Sequence, residues 1–163
     1  MFAPGDRVFA LAQPSFGSHV TVIRQGVLPL PDDLGFAEAA TVPIAFLTAH
    51  YGLVRAARLG RGESVLIHSA TGGVGLAAIQ VARELGARVY ATAGSKERRD
   101  LLRRLGVDGV WDSRSLRFSD EVREATGGLG VDVVLNSLSG EALAKGLETL
   151  ADGGRFIEIG KRE

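Results

Sequence analysis

The segment Ala70-Thr71-Gly72-Gly73-Val74-Gly75 carries the residues whose types and spacing best suit the binding of a phosphorylated ligand. Its pattern, Ala70-x-Gly72-x-x-Gly75, is the dinucleotide fingerprint with Ala in the first Gly position. Gly72 has no Cβ to hold a backbone amide away from a pyrophosphate, and Gly75 lets a following helix pack closely on the preceding strand. A helix opening there adds free N–H groups and the positive end of its dipole. The spacing alone is weak. It gains force from its position between an apolar run at 64–68 and a helical period over 74–85. The competing reading is a tight turn that binds nothing.

A second position tells which dinucleotide the loop suits. An NAD site wants Asp or Glu roughly 20 residues past the loop, to accept bonds from the ribose hydroxyls. Here the chain reads Thr92-Ala93-Gly94-Ser95 and then Lys96, Arg98 and Arg99. Cations in place of the acid suit a 2′-phosphate, which points to NADPH. Glu97 fits as a first-turn residue complementing the helix dipole. The plainer reading of the cations is a solvated helix face, with Arg103 and Arg104 continuing the run and Asp100 to Arg104 forming an i,i+4 pair. That reading is taken for Arg103 and Arg104, and phosphate binding for Arg98.

Composition bounds the rest. Glycine makes up 22 of 163 residues, nearly twice the ~7% average. Gly127-Gly128-Leu129-Gly130 and Gly153-Gly154 follow helical patterns and precede strands, so they read as C-caps and turns. The 19 Lys and Arg balance the 19 Asp and Glu, so a basic nucleic-acid footprint is excluded. No Cys is present, which excludes disulfides, Cys-ligated metals and a Cys nucleophile. His19 and His50 lack a partner at metal-ligand spacing, and His68 reads as structural. The start, Met1-Phe2-Ala3-Pro4-Gly5-Asp6-Arg7, has no signal-peptide pattern, and the uncharged stretch at 39–54 is too short for a bilayer. A cytoplasmic location without membrane contact is expected.

The elements that must position these residues fall into three zones. Residues 1–34 read as short strands and turns: a strand at 7–11, an alternating half-buried strand at 18–23, and an extended linker at Val27-Leu28-Pro29-Leu30-Pro31. Residues 35–61 read as connecting helices, the first capped by Asp33 and the second opened by Pro43 and running to about Ala57. From residue 62 onward strands are predicted at 64–68, 88–92, 107–111, 131–135 and 154–159. Helices are predicted at 74–85, 97–105, 118–125 and 140–150. Val74, Ala78, Val81 and Leu85 are the expected buried face of the first. This alternation gives an α/β fold, a Rossmann-type doubly wound parallel sheet with helices on both faces.

His68-Ser69-Ala70-Thr71-Gly72-Gly73-Val74-Gly75, preceded by Ala39-Ala40-Thr41-Val42-Pro43 and followed by Val133-Val134-Leu135-Asn136-Ser137-Leu138, resembles the medium-chain dehydrogenase/reductases. Asn136-Ser137-Leu138 with Arg155-Phe156-Ile157-Glu158-Ile159-Gly160-Lys161 resembles more narrowly the enoyl reductase domains of modular polyketide synthases and animal-type fatty acid synthases. The resemblance implies that residues 1–34 are the last strands and linker of a GroES-like substrate domain. Residues 62–163 would then be a Rossmann NADP-binding domain lacking its sixth strand. It implies NADPH-dependent reduction of a trans-2-enoyl thioester on an acyl carrier protein, with other domains of the same synthase and a homodimer as further partners.

Carried over by resemblance, Ala70, Thr71, Gly72, Gly73, Val74 and Gly75 hold the pyrophosphate, and Asn136, Ser137 and Leu138 lie against the nicotinamide half, with Thr48 approaching it from the preceding helix. Ser95, Arg98, Ser113 and Arg114 surround the adenosine phosphate. The family often has Lys where Arg98 stands, and Lys there has a proposed role as proton donor. Arg is effectively never deprotonated, and the Asp sometimes found nearby is Ser115 here, so no catalytic acid is assigned. Two rival readings stay open: a stand-alone NADPH:quinone oxidoreductase, expected to begin near its own N-terminus, and a nucleotide-binding module without catalysis. In either enzyme reading the isolated segment is expected to bind more than it catalyses.

Overall fold

The computed structural model describes residues 2–160. The chain divides into two compact units, one reaching Leu47 and the other starting at Thr48. In the first, strand β1 (Val8–Ala10) pairs antiparallel with β2 (Val27–Pro29), Ala10 opposite Val27 and Val8 opposite Pro29. The stretch expected to be a plain linker is therefore a strand at its Val27 end. Pro29 is tolerated because a two-stranded ribbon has only edge strands. The alternating segment at 18–23 forms no strand: it has no partner to bond, and most of its side chains are exposed. Helix α1 (Phe36–Ala39) is capped by Gly35, whose N–H donates to the Glu38 carboxylate at 2.9 Å, rather than by Asp33. A long-range tie comes from Arg7, which donates to the Leu34 carbonyl at 2.7 Å with its guanidinium 5.0 Å from the Phe36 ring centroid. Leu30 and Ala39 are the fully buried apolar residues of this unit, while Phe16, Ile23, Leu28 and Phe36 are exposed.

Helix α2 (Val42–His50) has Pro43 as its second residue, where no intrahelical acceptor is missed, and the unit boundary falls within it. It continues as a π-helical segment, Tyr51–Ala56, in which the Ala57 amide donates to Gly52 at 2.9 Å. Gly52 there rests against Leu135 and Ile157.

The second unit is built on β3 (Ser64–Ile67), β4 (Arg88–Ala93), β5 (Gly109–Asp112), β6 (Val131–Asn136) and β7 (Leu150–Glu158). All pairs are parallel, in the order β5-β4-β3-β6-β7. Between them run α3 (Gly73–Glu84), α4 (Lys96–Arg104), α5 (Phe118–Ala125) and α6 (Glu141–Glu148). The doubly wound parallel sheet is as the alternation requires. Central strand β3 is buried throughout and β6 nearly so, since both faces are covered. Leu66, Tyr90 and Val134 meet Phe118 and Val122 of α5 on one face, with Ala142 and Phe156 packed against them. Leu135 and Ile157 face the π-helical segment on the other. On α3 the buried stripe is Gly75, Ala78, Ile79 and Ala82, with Val74, Val81 and Leu85 only half-buried. Glycine and alanine make up most of that face, with Ile79 the one large side chain on it. Strand β7 starts earlier than expected, its register shifting between Val131 and Val133 around the positive-φ Gly153. The Gly127–Gly130 stretch ends α5: the Gly128 amide donates to Arg123 at 2.7 Å, and a Cβ on Gly130 would fall 2.5 Å from the Thr149 carbonyl.

At the amino ends of the strands a polar clamp ties the layers. Arg155 donates bidentately to Glu63 at 2.8 and 2.9 Å and to the Ala57 carbonyl at 2.9 Å. Glu63 also accepts from the Gly60 amide, and Asp132 accepts from the amide and hydroxyl of Ser64 at 2.7 and 2.8 Å. The Arg155 guanidinium holds the Glu63 carboxyl below the usual carboxylate range. At the opposite end of β3, His68 is buried. Its Nδ1 lies 2.8 Å from the Thr92 hydroxyl, its ring edge-on to Phe118, and its Nε2 has no partner. Burial alone pushes its pKa down to about 4.

Both features set stability. Because Arg155 joins four chain segments by fork geometry, Arg155→Met should cost about 2 kcal/mol in a urea melt, and Arg155→Lys should recover little of it. An unchanged midpoint would contradict the clamp. The His68 pKa is depressed on folding, so the unfolded chain binds more protons between pH 4 and 6.5. Stability from this group is full above pH 6.5 and falls by about 3 kcal/mol as the pH drops to 4. The difference between wild type and His68→Leu should show that slope; parallel pH profiles would refute it.

Candidate functional site

One row of paired residues crosses the whole sheet: Val110, Ala91, Ile67, Leu135 and Ile157. The expected binding residues other than Thr48 follow that row, at the carboxyl ends of the strands, in the loops that leave them and in the first turns of α3 and α4. The chain winds outward from β3 to β4 and β5, then crosses back to β6 and β7, so the strand order reverses between β3 and β6. Open α/β sheets bind ligands in the crevice at that reversal.

The loop after β3 shows why its glycines are needed. A Cβ on Gly75 would lie 2.5 Å from Ala70 Cα and 2.6 Å from the Ala70 carbonyl oxygen, a backbone clash with no flexible group to yield. Ala70 is fully buried, and its amide donates to the Thr92 carbonyl at 3.0 Å. Gly72 is the N-cap of α3 and supplies no side-chain cap, leaving the first-turn amides around Gly73, Val74 and Gly75 without a capping acceptor. Thr71 is half-buried beside it. An uncapped helix N-terminus fixed against the exit of a central strand is the cradle a pyrophosphate requires.

Across the reversal, the Ser137 hydroxyl donates to the Ser69 hydroxyl at 3.0 Å, joining the loops after β3 and β6. Ser69 has φ +51°, an uncommon conformation for a residue with a Cβ. Buried Asn136 shapes the next residues: its Nδ2 donates to the Leu138 carbonyl at 2.8 Å and its Oδ1 accepts from the Leu138 amide at 3.1 Å. Nδ2 also donates to Glu158 at 2.7 Å, and the other Glu158 oxygen accepts from the Gly160 amide. Ser69 and Glu158 thus join the site although no local chemistry singles them out. Their signal in the sequence is their place in the two motifs that carry the family resemblance, 68–75 and 155–161. Lys161, last in its motif, lies outside the described residues.

On the β4 and β5 side the cations sort themselves. Lys96 pairs with Asp100 at 2.8 Å and Arg99 with Asp112 at 2.9 Å, so both already face a carboxylate. Asp100 pairs with Lys96 and Arg103 rather than with Arg104. Arg98 and Arg114 are exposed and have no carboxylate partner among the described residues. Ser95 caps α4 by accepting from the Arg98 amide at 3.4 Å, and its hydroxyl also serves the Glu97 carboxylate. Glu97 is held below the usual carboxylate range first by its own backbone amide and then by the Ser95 hydroxyl, as a first-turn acid should be. Ser113, Arg114 and Gly94 come together: a Cβ on Gly94 would lie 3.0 Å from Arg114 Nε and 3.5 Å from Ser113 Oγ. Thr48 stands apart, half-buried in α2 one turn before Gly52.

The likeness to known proteins follows the same parts of the chain. Residues 73–163 match the family described as zinc-binding dehydrogenase. Among the described residues no group of three or more His, Cys, Asp or Glu could hold a metal ion. The chain is 55% identical over 159 residues to a phenolphthiocerol/phthiocerol polyketide synthase of Mycobacterium tuberculosis, covering 98% of this chain and 7% of that protein. A solved putative enoyl reductase domain of a polyketide synthase is 59% identical with a TM-score of 0.71, covering 74% of this chain and 69% of that one. The mycobacterial protein Rv1454c, solved in complex with NADPH, is 34% identical with a TM-score of 0.87 over 96% of this chain and 48% of its own. Spacing of the loop, order of the strands and likeness over nearly the full length agree: the chain belongs to the zinc-binding dehydrogenase family, and within it to the enoyl reductase domains of polyketide synthases.

Proposed function

We propose that this chain is the cofactor-binding part of an NADPH-dependent enoyl reductase, which reduces a trans-2-enoyl thioester carried on an acyl carrier protein within a polyketide or fatty acid synthase. The observation that carries the reading is that no acid stands at the end of β4, where an NAD site would place one, while Arg98 and Arg114 nearby have no carboxylate partner among the described residues. The NADPH-complexed relative and the synthase relatives support the same choice.

In this reading the free amides of Gly73, Val74 and Gly75 and the α3 dipole hold the pyrophosphate, with Ala70, Thr71 and Gly72 shaping the turn. Arg98 and Arg114 bind the 2′-phosphate, and the Ser95 and Ser113 hydroxyls donate beside them. The Asn136-Ser137-Leu138 turn lines the nicotinamide half, with Thr48 on the helix that approaches it. Bound NADPH would supply the hydride. The protein's task is to bind and orient, and Arg98 cannot double as the proton donor because a guanidinium does not give up its proton. The acyl carrier protein, neighbouring domains of the same synthase and a second copy of the chain are the proposed partners.

Calorimetric titration tests this directly. The chain should bind NADPH at least tenfold tighter than NADH, and Arg98→Glu should remove the preference, because a charge-assisted contact to phosphate is worth about 1.5–3 kcal/mol. Equal affinities would overturn the assignment. Gly75→Ala should lose about 3 kcal/mol of stability in a thermal melt, since α3 must lift from β3 to admit the methyl. An unshifted midpoint would show that the contact with Ala70 is not a constraint.

A further inference from the structure

Gly94 has no backbone reason to be glycine. It lies outside the left-handed region, unlike Gly86, Gly106 or Gly153, and it leaves strand β4 without a turn that a Cβ would forbid. The space where its Cβ would stand is bordered instead by the Arg114 side chain, Nε at 3.0 Å and Cζ at 3.5 Å, and by Ser113 Oγ at 3.5 Å. The backbone that carries Arg114 is fixed by its own loop. Its amide donates to Asp112 Oδ1 at 2.9 Å, Asp112 Oδ2 is taken by Arg99, and the Ser113 amide donates back to Ala93 at 3.4 Å. The Arg114 guanidinium thus borders the end of β4 at Gly94, in space that a side chain there would narrow.

We propose that Gly94 is a specificity-determining residue: by lacking a Cβ it lets Arg114 reach across β4 toward Arg98, so that the two guanidinium groups close on one 2′-phosphate from opposite sides. The proposal rests on the 2′-phosphate reading given above. It makes NADPH preference depend on a residue that itself offers no charge and no hydrogen-bonding side chain. A methyl at this position asks the end of a flexible side chain to shift by a few tenths of an ångström, so the fold tolerates it while the clamp does not. A branched side chain fills the passage.

The test is a double-mutant cycle read by calorimetry with NADPH and NADH as probes, with thermal midpoints measured alongside. Gly94→Ala should weaken NADPH binding about threefold and Gly94→Val about tenfold or more, with NADH affinity and the midpoint little changed. In an Arg114→Ala background, Gly94→Val should change NADPH affinity less than about twofold, because its target is gone. Equal weakening of both cofactors, or the full loss persisting without Arg114, would show that Gly94 makes room for the nucleotide itself and would overturn the proposal. If the Gly94 variants keep the wild-type preference, the proposal fails while the 2′-phosphate reading stands. A wild-type chain that does not distinguish NADPH from NADH removes the reading on which both depend.

Discussion

The contact between Gly75 and Ala70 is the constraint on which the second unit depends. Helix α3 can start against the loop that leaves β3 only because Gly75 has no Cβ, since a side chain there would fall 2.5 Å from the Ala70 backbone. That approach fixes the N-terminus of α3 at the exit of the central strand, with amides uncapped and aimed along the crevice. The buried face of α3 continues from that contact through Ala78, Ile79 and Ala82. Hydrophobic burial holds the layers together, but close backbone approach decides where the anion-binding end of the helix lies.

Polar groups are distributed unequally between the two ends of the sheet. At the amino ends they satisfy one another: Arg155 with Glu63, Ser64 with Asp132, and Thr149 with the turn of Gly146. At the carboxyl ends several stay open. Lys96 and Arg103 share Asp100 and Arg99 pairs with Asp112, while in the same region Arg98 and Arg114 have no carboxylate partner among the described residues. The amino end behaves as a fastening and the carboxyl end as a receptor for negative charge. The Asn136–Glu158 bond lies between these roles, because it fixes a loop that borders the crevice while bonding two strands of the scaffold.

Much of this was legible in the sequence because its local signals agreed with one another. The loop spacing, the alternation of strands and helices and the missing acid after β4 all follow from short-range chemistry, and each appears where expected. What escaped was what depends on partners far along the chain. The segment at 18–23 alternates like a strand but has nothing to pair with, and the apolar maximum of α3 is not its buried face. Ionic pairing across elements was equally hidden. Arg99 and Arg98 look alike in sequence, and only the position of Asp112 on β5 separates the structural cation from the free one. Ser69 and Glu158 belong to the site through bonds spanning 68 and 22 residues, beyond any local pattern.

In the proposed function one end of one sheet gathers the cofactor contacts other than Thr48. Amide chemical shifts followed by NMR as NADPH is added test it most directly. Shifts are expected at residues 72–76, 94–98, 113–114 and 136–138, with the amino-end segments at 57–64 and 127–131 unmoved. Shifts concentrated at the amino end, or confined to a single loop, would contradict it.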